Sequence, residues 1–220
     1  MKTHKNPIGA KEPHAALTEI ESPTVFIRKK KPTAKRLIRD ARRAETAAAA
    51  VADFSTDVTI HGLTKGQFSL IDLMNALIEH AGSVSVDIST WTAAKTDVTT
   101  VCEWLRSGRV TSSRWLVDLT FQRRTPELAT LIRDLFGPDC IRVAQNHCKL
   151  AVLRNAKWAV VIQTSMNLNF NPRFENFTVA HDPELAKFYG TIFDEVWQKQ
   201  SRATVEDRPY DIHKHFANDL

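Results

Sequence analysis

The sequence predicts an α/β fold in which a mixed sheet is flanked by helices, and three observations support this class. First, apolar residues recur at helical spacing in several segments, as in SLIDLMNALIEH over residues 69–80. Second, β-branched or alternating runs such as SVSVDIS, residues 83–89, lie between those segments. Third, the elements follow the order β-α-β-α-β-α-β-β-β-α, which is typical of an α/β sandwich.

Each predicted element has a local signal. The predicted strands are rich in β-branched residues or alternate in polarity, and they cover residues 57–62, 83–89, 114–121, 140–143, 148–153 and 159–164. The predicted helices cover residues 69–80, 92–106, 126–136 and 183–199. Gly82 and Gly108 end the first two helices, and Thr125 followed by Pro126 is a typical start for the third.

Positive charge is concentrated near the N-terminus. Residues 1–57 contain 12 Lys or Arg and 7 Asp or Glu, whereas the remaining residues contain 18 of each sign. The surplus of 5 therefore belongs to an extension, and such asymmetry is common in proteins with a nucleic-acid-binding arm. We expect a basic, partly helical and partly disordered extension over residues 1–56, a domain over residues 57–200 and a polar tail over residues 201–220.

A dense basic segment lies within this extension. Residues 28–43 hold nine basic side chains and only Asp40 on the acidic side. A helix in this segment would contact nucleic-acid phosphates, with a strength that falls steeply as salt rises. A solvated helix that keeps the protein soluble is an equally good interpretation. The side chains expected to contact nucleic acid are Lys29, Lys30, Lys31, Lys35, Arg36, Arg39, Arg42 and Arg43.

Several classes of protein are disfavoured by the composition. No run of about eighteen or more apolar residues is present, and the first residues lack the apolar core of a secretory signal. The three cysteines, Cys102, Cys140 and Cys148, match no metal-ligand spacing. We therefore expect a cytoplasmic protein with reduced thiols, no metal and no cofactor.

Residues able to carry chemistry are concentrated in one segment, NHCKLAVLRNAKWAVVIQTSMNLNFNPRFENF, residues 146–177. Alternate side chains of a strand share a face, so His147 and Lys149 are predicted to point the same way. An imidazole can attack phosphorus or donate a proton, and an ammonium can hold a non-bridging phosphate oxygen. Downstream, Glu175 is a carboxylate able to orient the imidazole. Small polar side chains follow the next strand at alternating positions: Ser165, Asn167 and Asn169.

This pattern resembles the signature of the phospholipase D superfamily. That signature is His-x-Lys, four residues, Asp, and then a strand ending in Gly/Ser-Ser-x-Asn, with a Glu-Asn pair downstream in single-motif bacterial nucleases. Here His147 and Lys149 match the first part, residues 164–167 (TSMN) match the second, and residues 175–176 match the pair. The resemblance covers residues 57–199 as one half-domain, and it is closest to single-motif members encoded in phages and prophages.

The resemblance implies a metal-independent phosphodiesterase that acts on nucleic acid, DNA ahead of RNA, with no membrane partner and with a bacterial or phage origin. His147 would form a phosphohistidine, Lys149 and Asn167 would bind the phosphate oxygens, and Glu175 would orient the imidazole. The family's chemistry needs two His-Lys sets, and this sequence has no internal repeat. The resemblance therefore implies a homodimer with a shared active site.

Three departures from the signature leave an alternative open. Arg154 stands where the signature has Asp, Thr164 replaces the usual Gly, and about three extra residues separate the two elements. The related tyrosyl-DNA phosphodiesterases use His, Lys and Asn without that Asp, so its loss does not exclude activity. The alternative is an inactive half-domain that binds nucleic acid through its basic segment. A lipid phosphodiesterase is a third and weaker interpretation.

Two further positions follow predicted strands, where α/β folds place ligand sites. Trp91 is a candidate for stacking on a base, although a Trp is more often partly buried packing. Arg123 and Arg124 are candidates for phosphate contact, although exposed loop arginines without a role are equally common. Together with Ser165 and Asn169, these residues form the predicted substrate-binding set.

Overall fold

The protein folds around one mixed sheet within residues 44–170 and 172–200, which are the residues that the computed structural model describes. In chain order the strands are β1 (Thr59–Thr64), β2 (Val84–Thr90), β3 (Val110–Asp118), β4 (Ile141–Ala144), β5 (Lys149–Arg154), β6 (Ala159–Thr164) and β7 (Glu175–His181). Across the sheet they follow the order β1-β7-β6-β5-β2-β3-β4. The strands β2, β3 and β4 are parallel, and every other neighbouring pair is antiparallel. The predicted class, an α/β fold with a mixed sheet, is therefore confirmed.

Helices connect the strands and pack on the sheet. They are α1 (Ala47–Ala50), α2 (Leu70–Ala81), α3 (Lys95–Arg106), α4 (Phe121–Arg124), α5 (Pro126–Phe136) and α6 (Pro183–Lys199), with a 3-10 turn at Pro138–Cys140. The start of α2 is set locally, because Ser69 and Asp72 each accept a hydrogen bond from the other's backbone N–H. In this part of the chain, no helix combines the length and the apolar character that a membrane crossing requires.

Hydrophobic side chains cover both faces of the sheet. The larger cluster lies between one face and helices α1, α2, α3 and α5, and it includes Ala151 and Leu153 of β5. The smaller cluster lies between the other face and α6, and it includes Leu150, Val152 and Phe193. Alternate residues of a strand point to opposite faces, so a strand buried on both sides reads as a continuous apolar run, as β5 does.

The sequence patterns missed one strand, β7, and one short helix, α4. The β7 sequence, ENFTVAH, contains Glu, Asn, Thr and His, and its apolar content is too low for the usual strand pattern. The strand forms because β1 pairs with it on one side and β6 on the other, both antiparallel. The actual order of strands and helices therefore contains one more strand before the last helix than the sequence predicted.

One predicted helix starts later than expected. The sequence predicted a helix from residue 92, but α3 begins at Lys95. The backbone before it is engaged elsewhere: Ala94 N–H donates to the Leu168 carbonyl oxygen at 2.5 Å, and Leu168 N–H donates to the Thr92 carbonyl oxygen at 3.2 Å. This pairing ties the segment after β2 to the segment after β6, and it excludes residues 92–94 from the helix.

Residues just before β1 belong to the packed core. Val51 and Phe54 are buried, and the Phe54 ring stacks on Trp158 with ring centroids 5.5 Å apart. A domain boundary at residue 57, as the sequence suggested, would remove these contacts. The basic segment of residues 28–43 and the tail of residues 201–220 lie outside the described residues.

An ion-pair cluster crosses the sheet on the side covered by α6. The buried carboxylate of Asp87 accepts from Arg114 Nε at 2.6 Å and Nη2 at 2.8 Å, and from Arg154 Nη1 at 2.5 Å. Arg114 also reaches Asp194 of α6 at 2.6 Å. The guanidinium groups come from β3 and β5, the two strands that flank β2, and they neutralise the buried carboxylate of β2 from opposite sides.

The helix α6 leaves space for one of these arginines. Arg154 Nη2 donates to the Ala186 carbonyl oxygen at 3.0 Å. A Cβ atom placed on Gly190, one helical turn further along α6, would lie 2.9 Å from the same nitrogen. Gly190 therefore keeps the helix surface clear where the Arg154 side chain crosses it.

Candidate active site

The residues predicted to carry chemistry lie along the edge of the sheet that is formed by the ends of its strands, not along an outermost strand. The parallel strands β2 and β3 end at this edge, and the antiparallel strand β5 begins there, with Lys149 paired with Thr164 and Leu150 paired with Ser89. The end of β6 and the start of β7 lie at the same edge, since Thr164 pairs with Phe177. In α/β sheets, crevices beyond the carboxyl ends of parallel strands are the usual ligand sites.

The side chains of His147 and Lys149 meet, although His147 lies outside the strand on which the sequence placed it. Lys149 Nζ lies 2.9 Å from His147 Nδ1, 3.2 Å from His147 Nε2 and 2.9 Å from the His147 carbonyl oxygen. His147 itself stands in the turn before β5, which begins at Lys149. An exposed imidazole and an ammonium group are thus placed within contact distance of each other at the sheet edge.

The protonation of Lys149 is affected by its partly buried environment. Partial burial lowers the pKa of the Lys149 ammonium from its ordinary value, because desolvation disfavours the charged state. Coulombic interactions with Cys148 and Glu175 act in the opposite direction and offset part of the lowering of the Lys149 pKa. A phosphate oxygen placed beside the amine would add a further negative charge and favour the protonated form.

The turn that carries His147 is held from behind by Asn146, a residue that the sequence analysis did not single out. The buried Asn146 amide donates to the Leu116 carbonyl oxygen at 3.0 Å and to Ser89 Oγ at 2.9 Å. Its oxygen accepts from the Cys148 backbone N–H at 3.0 Å. The partners come from β2, β3 and the turn itself, so no local pattern marks Asn146, and its place before His147 is the only sequence signal.

Glu175 pairs with Ser165 and not with the imidazole. Ser165 Oγ donates a short hydrogen bond to Glu175 Oε2 and accepts from the Asn176 backbone N–H at 3.0 Å. Arg173 Nε lies 3.4 Å from the other Glu175 oxygen. The expected contact between Glu175 and His147 is absent from the described residues, because β6 lies between β5 and β7 and separates the two groups by two strand spacings.

Two amide groups at the edge hold unsatisfied acceptors. The side-chain oxygens of Asn167 and Asn169 are buried and have no hydrogen-bond partner among the described residues. Leu168, between them, is fixed by its backbone hydrogen bonds to Thr92 and Ala94. A buried acceptor without a partner is destabilising by about 1–3 kcal/mol.

Trp91 and Arg124 come together beside the imidazole. The Trp91 ring centroid lies 5.8 Å from that of His147, and the guanidinium carbon of Arg124 lies 3.8 Å from the centre of the Trp91 ring system. Arg124 Nη2 also donates to the Trp91 carbonyl oxygen at 2.8 Å. Arg123, the preceding residue of α4, is exposed. The sequence named these three residues separately, and the structure brings two of them into one stacked pair next to His147.

Arg154, the departure from the motif, lies away from the site. It is the last residue of β5, and Lys149 is the first, so roughly 16 Å of strand separates them at about 3.3 Å per residue. Its side chain neutralises Asp87 on the α6 side of the sheet. The missing carboxylate of the motif therefore changes a structural contact and leaves the groups around His147 as they are.

The groups at the edge suit chemistry on a phosphate ester. An imidazole can serve as nucleophile or acid, an ammonium can bind a non-bridging oxygen, and amide groups can hold the remaining oxygens. Residues 44–170 and 172–200 contain no cluster of three or more His, Cys, Asp or Glu side chains that could share a metal ion.

Several solved structures are similar in fold to this protein. The chain is similar to a polyphosphate kinase from Porphyromonas gingivalis, with 12% identity and a TM-score of 0.48 over 73% of this chain and 30% of that one. It is similar to Nuc, a phospholipase D family member from Salmonella typhimurium, with 14% identity and a TM-score of 0.45 over 64% of this chain and 95% of that one. It is similar to NucT from Helicobacter pylori, with 13% identity and a TM-score of 0.42 over 64% of this chain and 98% of that one.

These similarities concern the backbone fold alone. The protein spans less than a third of the polyphosphate kinase and nearly all of the other two proteins. No family model matches the sequence. No curated protein matches it either.

Proposed function

We propose that this protein is a phosphodiesterase that cleaves nucleic acid through a covalent histidine intermediate and without a metal ion. The observation that carries this proposal is the contact between Lys149 Nζ and the His147 ring, at 2.9 and 3.2 Å. In the free protein the ammonium hydrogen-bonds to the imidazole. A bound phosphate oxygen would replace the ring as acceptor and leave a ring nitrogen able to attack phosphorus.

The proposed reaction has two steps. In the first, a ring nitrogen of His147 forms a bond to phosphorus, and the bond from phosphorus to the leaving oxygen breaks. The leaving oxygen takes a proton from the imidazolium of a second His147. In the second step, that neutral imidazole takes a proton from water, the water oxygen bonds to phosphorus, and the phosphorus–nitrogen bond breaks. The products are a phosphate monoester and an alcohol, and both histidines return to their starting states.

The second His147 belongs, in this proposal, to a second copy of the chain. A single imidazole cannot attack phosphorus and protonate the leaving oxygen in the same step, and the sequence contains one His-Lys set. Two phenylalanines adjacent in sequence to Asn169 and Glu175, Phe170 at 61% and Phe174 at 68% exposure, offer apolar surface for a second copy to cover. A closed symmetric dimer would place the same elements on both sides of the shared site.

The competing interpretation, an inactive protein that only binds nucleic acid, rested on Arg154 in place of the motif's Asp. Arg154 lies at the far end of β5 and pairs with Asp87, so its presence leaves the chemical groups around His147 unchanged. Binding through the basic segment is compatible with both interpretations. Catalysis is the property that separates them.

The test is a nuclease assay in EDTA on the full chain with single-stranded DNA, double-stranded DNA and RNA. We expect cleavage that survives EDTA, and a loss of at least about 10³-fold in His147→Ala, which removes both nucleophile and acid from a symmetric dimer. His61→Ala, at an exposed histidine of β1, is the matched control and should retain activity. Acid-free quenching and intact-mass measurement should detect a nucleotide adduct in the wild type and none in His147→Ala.

The outcome against the proposal is equally concrete. If the wild type cleaves no substrate with or without added metal, and His147→Ala binds DNA as strongly as the wild type, the binding-only interpretation replaces it. Sedimentation at tens of micromolar tests the dimer separately. If the protein is a strict monomer and still cleaves DNA, the proposed activity stands and the proposed shared site between two copies is wrong.

A further inference from the structure

Arg124 is held in a fixed position beside the imidazole by its contacts with Trp91 and Thr120. Its guanidinium carbon lies 3.8 Å from the centre of the Trp91 ring system, Nη2 donates to the Trp91 carbonyl oxygen at 2.8 Å, and Nε donates to Thr120 Oγ1 at 2.9 Å. A stacked guanidinium with two directed hydrogen bonds has lost most of its rotational freedom before any ligand binds. Arg124 is therefore preorganised although it is exposed.

The support for Arg124 continues to the turn that carries His147. Thr120 donates through its backbone N–H to Asp118 Oδ1 at 2.9 Å, and its hydroxyl donates to the same oxygen. The other carboxylate oxygen of Asp118 accepts from the Asn146 backbone N–H at 3.2 Å. A chain of hydrogen bonds thus joins Arg124, Thr120, Asp118 and Asn146, and it fixes the guanidinium relative to the imidazole.

Most of the donors on this guanidinium are still available. An arginine carries five N–H donors, and two of those on Arg124 are used by Thr120 and by the Trp91 carbonyl. Nη1 has no hydrogen-bond partner among the described residues. A planar group with a free edge that projects from a fixed stack is suited to bind two oxygens of one phosphate.

We propose that Arg124, stacked on Trp91, binds a second phosphate of the substrate strand, next to the one that reacts at His147. This inference rests on the proposed function and narrows its substrate to a polynucleotide. The two ring distances, 5.8 and 3.8 Å, place the guanidinium carbon within roughly 10 Å of the imidazole. Successive phosphates of one strand advance by about 3.4 Å along a helix axis, so a phosphate a few nucleotides away lies within reach. A substrate with a single phosphodiester has no group to place there.

The test compares two substrates that differ in phosphate number. Thymidylyl-thymidine has one phosphodiester, and a thymidine octamer has several. The wild type should cleave the octamer with the higher kcat/KM. Arg124→Gln should raise KM for the octamer by roughly 10- to 100-fold, the size expected for a lost charged hydrogen bond, and by clearly less for the dinucleotide. Arg124→Lys keeps the charge without the planar fork, and its KM for the octamer should lie between those of the wild type and Arg124→Gln.

The control is Arg106→Gln, which removes one positive charge from the exposed end of α3. It should change neither substrate's KM by more than about twofold, because a single exposed charge outside a binding site contributes little. Melting temperatures of all variants separate loss of fold from loss of binding. If Arg124→Gln changes both substrates equally, or neither, the second phosphate site is overturned while the nuclease remains.

Binding separates the two proposals if no cleavage is found. Fluorescence anisotropy of a labelled octamer is then measured with the wild type, Arg124→Gln and Arg106→Gln. Weaker binding in Arg124→Gln alone supports a phosphate site at Arg124 in a protein whose proposed catalysis has failed. Equal binding by all three proteins overturns the site as well.

Discussion

Arg154 Nη1 lies 2.5 Å from the carboxylate of Asp87, and this contact joins the end of β5 to the middle of β2. In sequence, Arg154 stands where the resembling motif has an acidic residue. In the structure it neutralises an acidic residue that comes from the neighbouring strand. The position is therefore charged in both cases, but its role here is to balance a buried carboxylate some distance from His147.

Arg154→Asp is expected to destabilise the protein and to give no gain in activity. The substitution would place a second carboxylate beside Asp87, with Arg114 alone to balance both, and breaking a buried pair of this kind lowers stability by about 3–5 kcal/mol. Arg154→Met, which removes one cation without adding an anion, should have a smaller effect. Urea unfolding and the nuclease assay measure the two properties. An Arg154→Asp protein with unchanged stability and higher activity would contradict this account.

A pH dependence follows from the lowered pKa of Lys149. Burial favours the neutral amine, so the charged fraction of the free protein falls at lower pH than for an ordinary lysine, whose pKa is 10.5. We expect kcat/KM to decrease on the alkaline side as the ammonium is lost. Bound phosphate favours the charged form, so the same decrease in kcat should occur at higher pH.

Lys149→Arg tests the assignment of this alkaline decrease. A guanidinium stays charged throughout the range, so the part of the decrease that Lys149 causes should disappear in whatever activity the variant keeps. Lys157→Arg, an exposed lysine beyond the end of β5, is the matched control and should keep the wild-type profile. An unchanged alkaline decrease in Lys149→Arg would assign it to another group.

Asn146→Ala should reduce turnover more than substrate binding. The variant loses the hydrogen bonds to Leu116, Ser89 and Cys148 that hold the turn carrying His147. We expect kcat to fall by roughly 10- to 100-fold, since a misplaced nucleophile is slow, and stability to fall by about 1–3 kcal/mol. KM should change little, because Lys149 remains on β5. Gln145→Ala, at the exposed neighbour, is the control, and a KM effect without a kcat effect would refute the positioning role.

Elements with a strong local signal were predicted well. The strand β6 has the predicted bounds, and α2 starts at its Ser69 capping box and ends at Gly82 because those signals are local. For these parts, a few neighbouring residues contain the information that determines the structure.

Features that depend on distant partners were not predicted. The strand β7 is defined by its two neighbours in the sheet, and the pairing of Glu175 with Ser165 in place of His147 depends on β6 lying between them. Asp87 and Arg154 are 67 residues apart in sequence, and no local pattern connects them. Only the three-dimensional arrangement of the strands determines these contacts.

Two truncations should separate nucleic-acid binding from folding. Residues 1–43 contain all 12 basic residues of the N-terminal part and 4 acidic ones. Removing them should leave the melting temperature unchanged and flatten the salt dependence of DNA binding by nearly one unit of slope per lost phosphate contact. Removing residues 1–56 also deletes Val51 and Phe54, and loss of that core packing should lower stability by about 3 kcal/mol or more.

Comparing the two truncated proteins separates an effect on folding from an effect on nucleic-acid binding. Equal melting temperatures for both proteins would show that residues 44–56 do not contribute to the core. Unchanged binding and an unchanged salt slope after removal of residues 1–43 would limit the basic segment to keeping the protein soluble.

The ion pair between Arg154 and Asp87 constrains which substitutions are tolerated at Gly190. A glycine inside a helix such as α6 is about 1 kcal/mol less favourable than alanine, so a change to alanine would ordinarily be accepted. Here the added Cβ would lie 2.9 Å from Arg154 Nη2, a nitrogen already engaged with the Ala186 carbonyl oxygen. The gain at position 190 therefore requires the Arg154 guanidinium, the far end of a flexible side chain, to shift or to be lost. These two positions should therefore show epistasis, although 36 residues separate them in sequence.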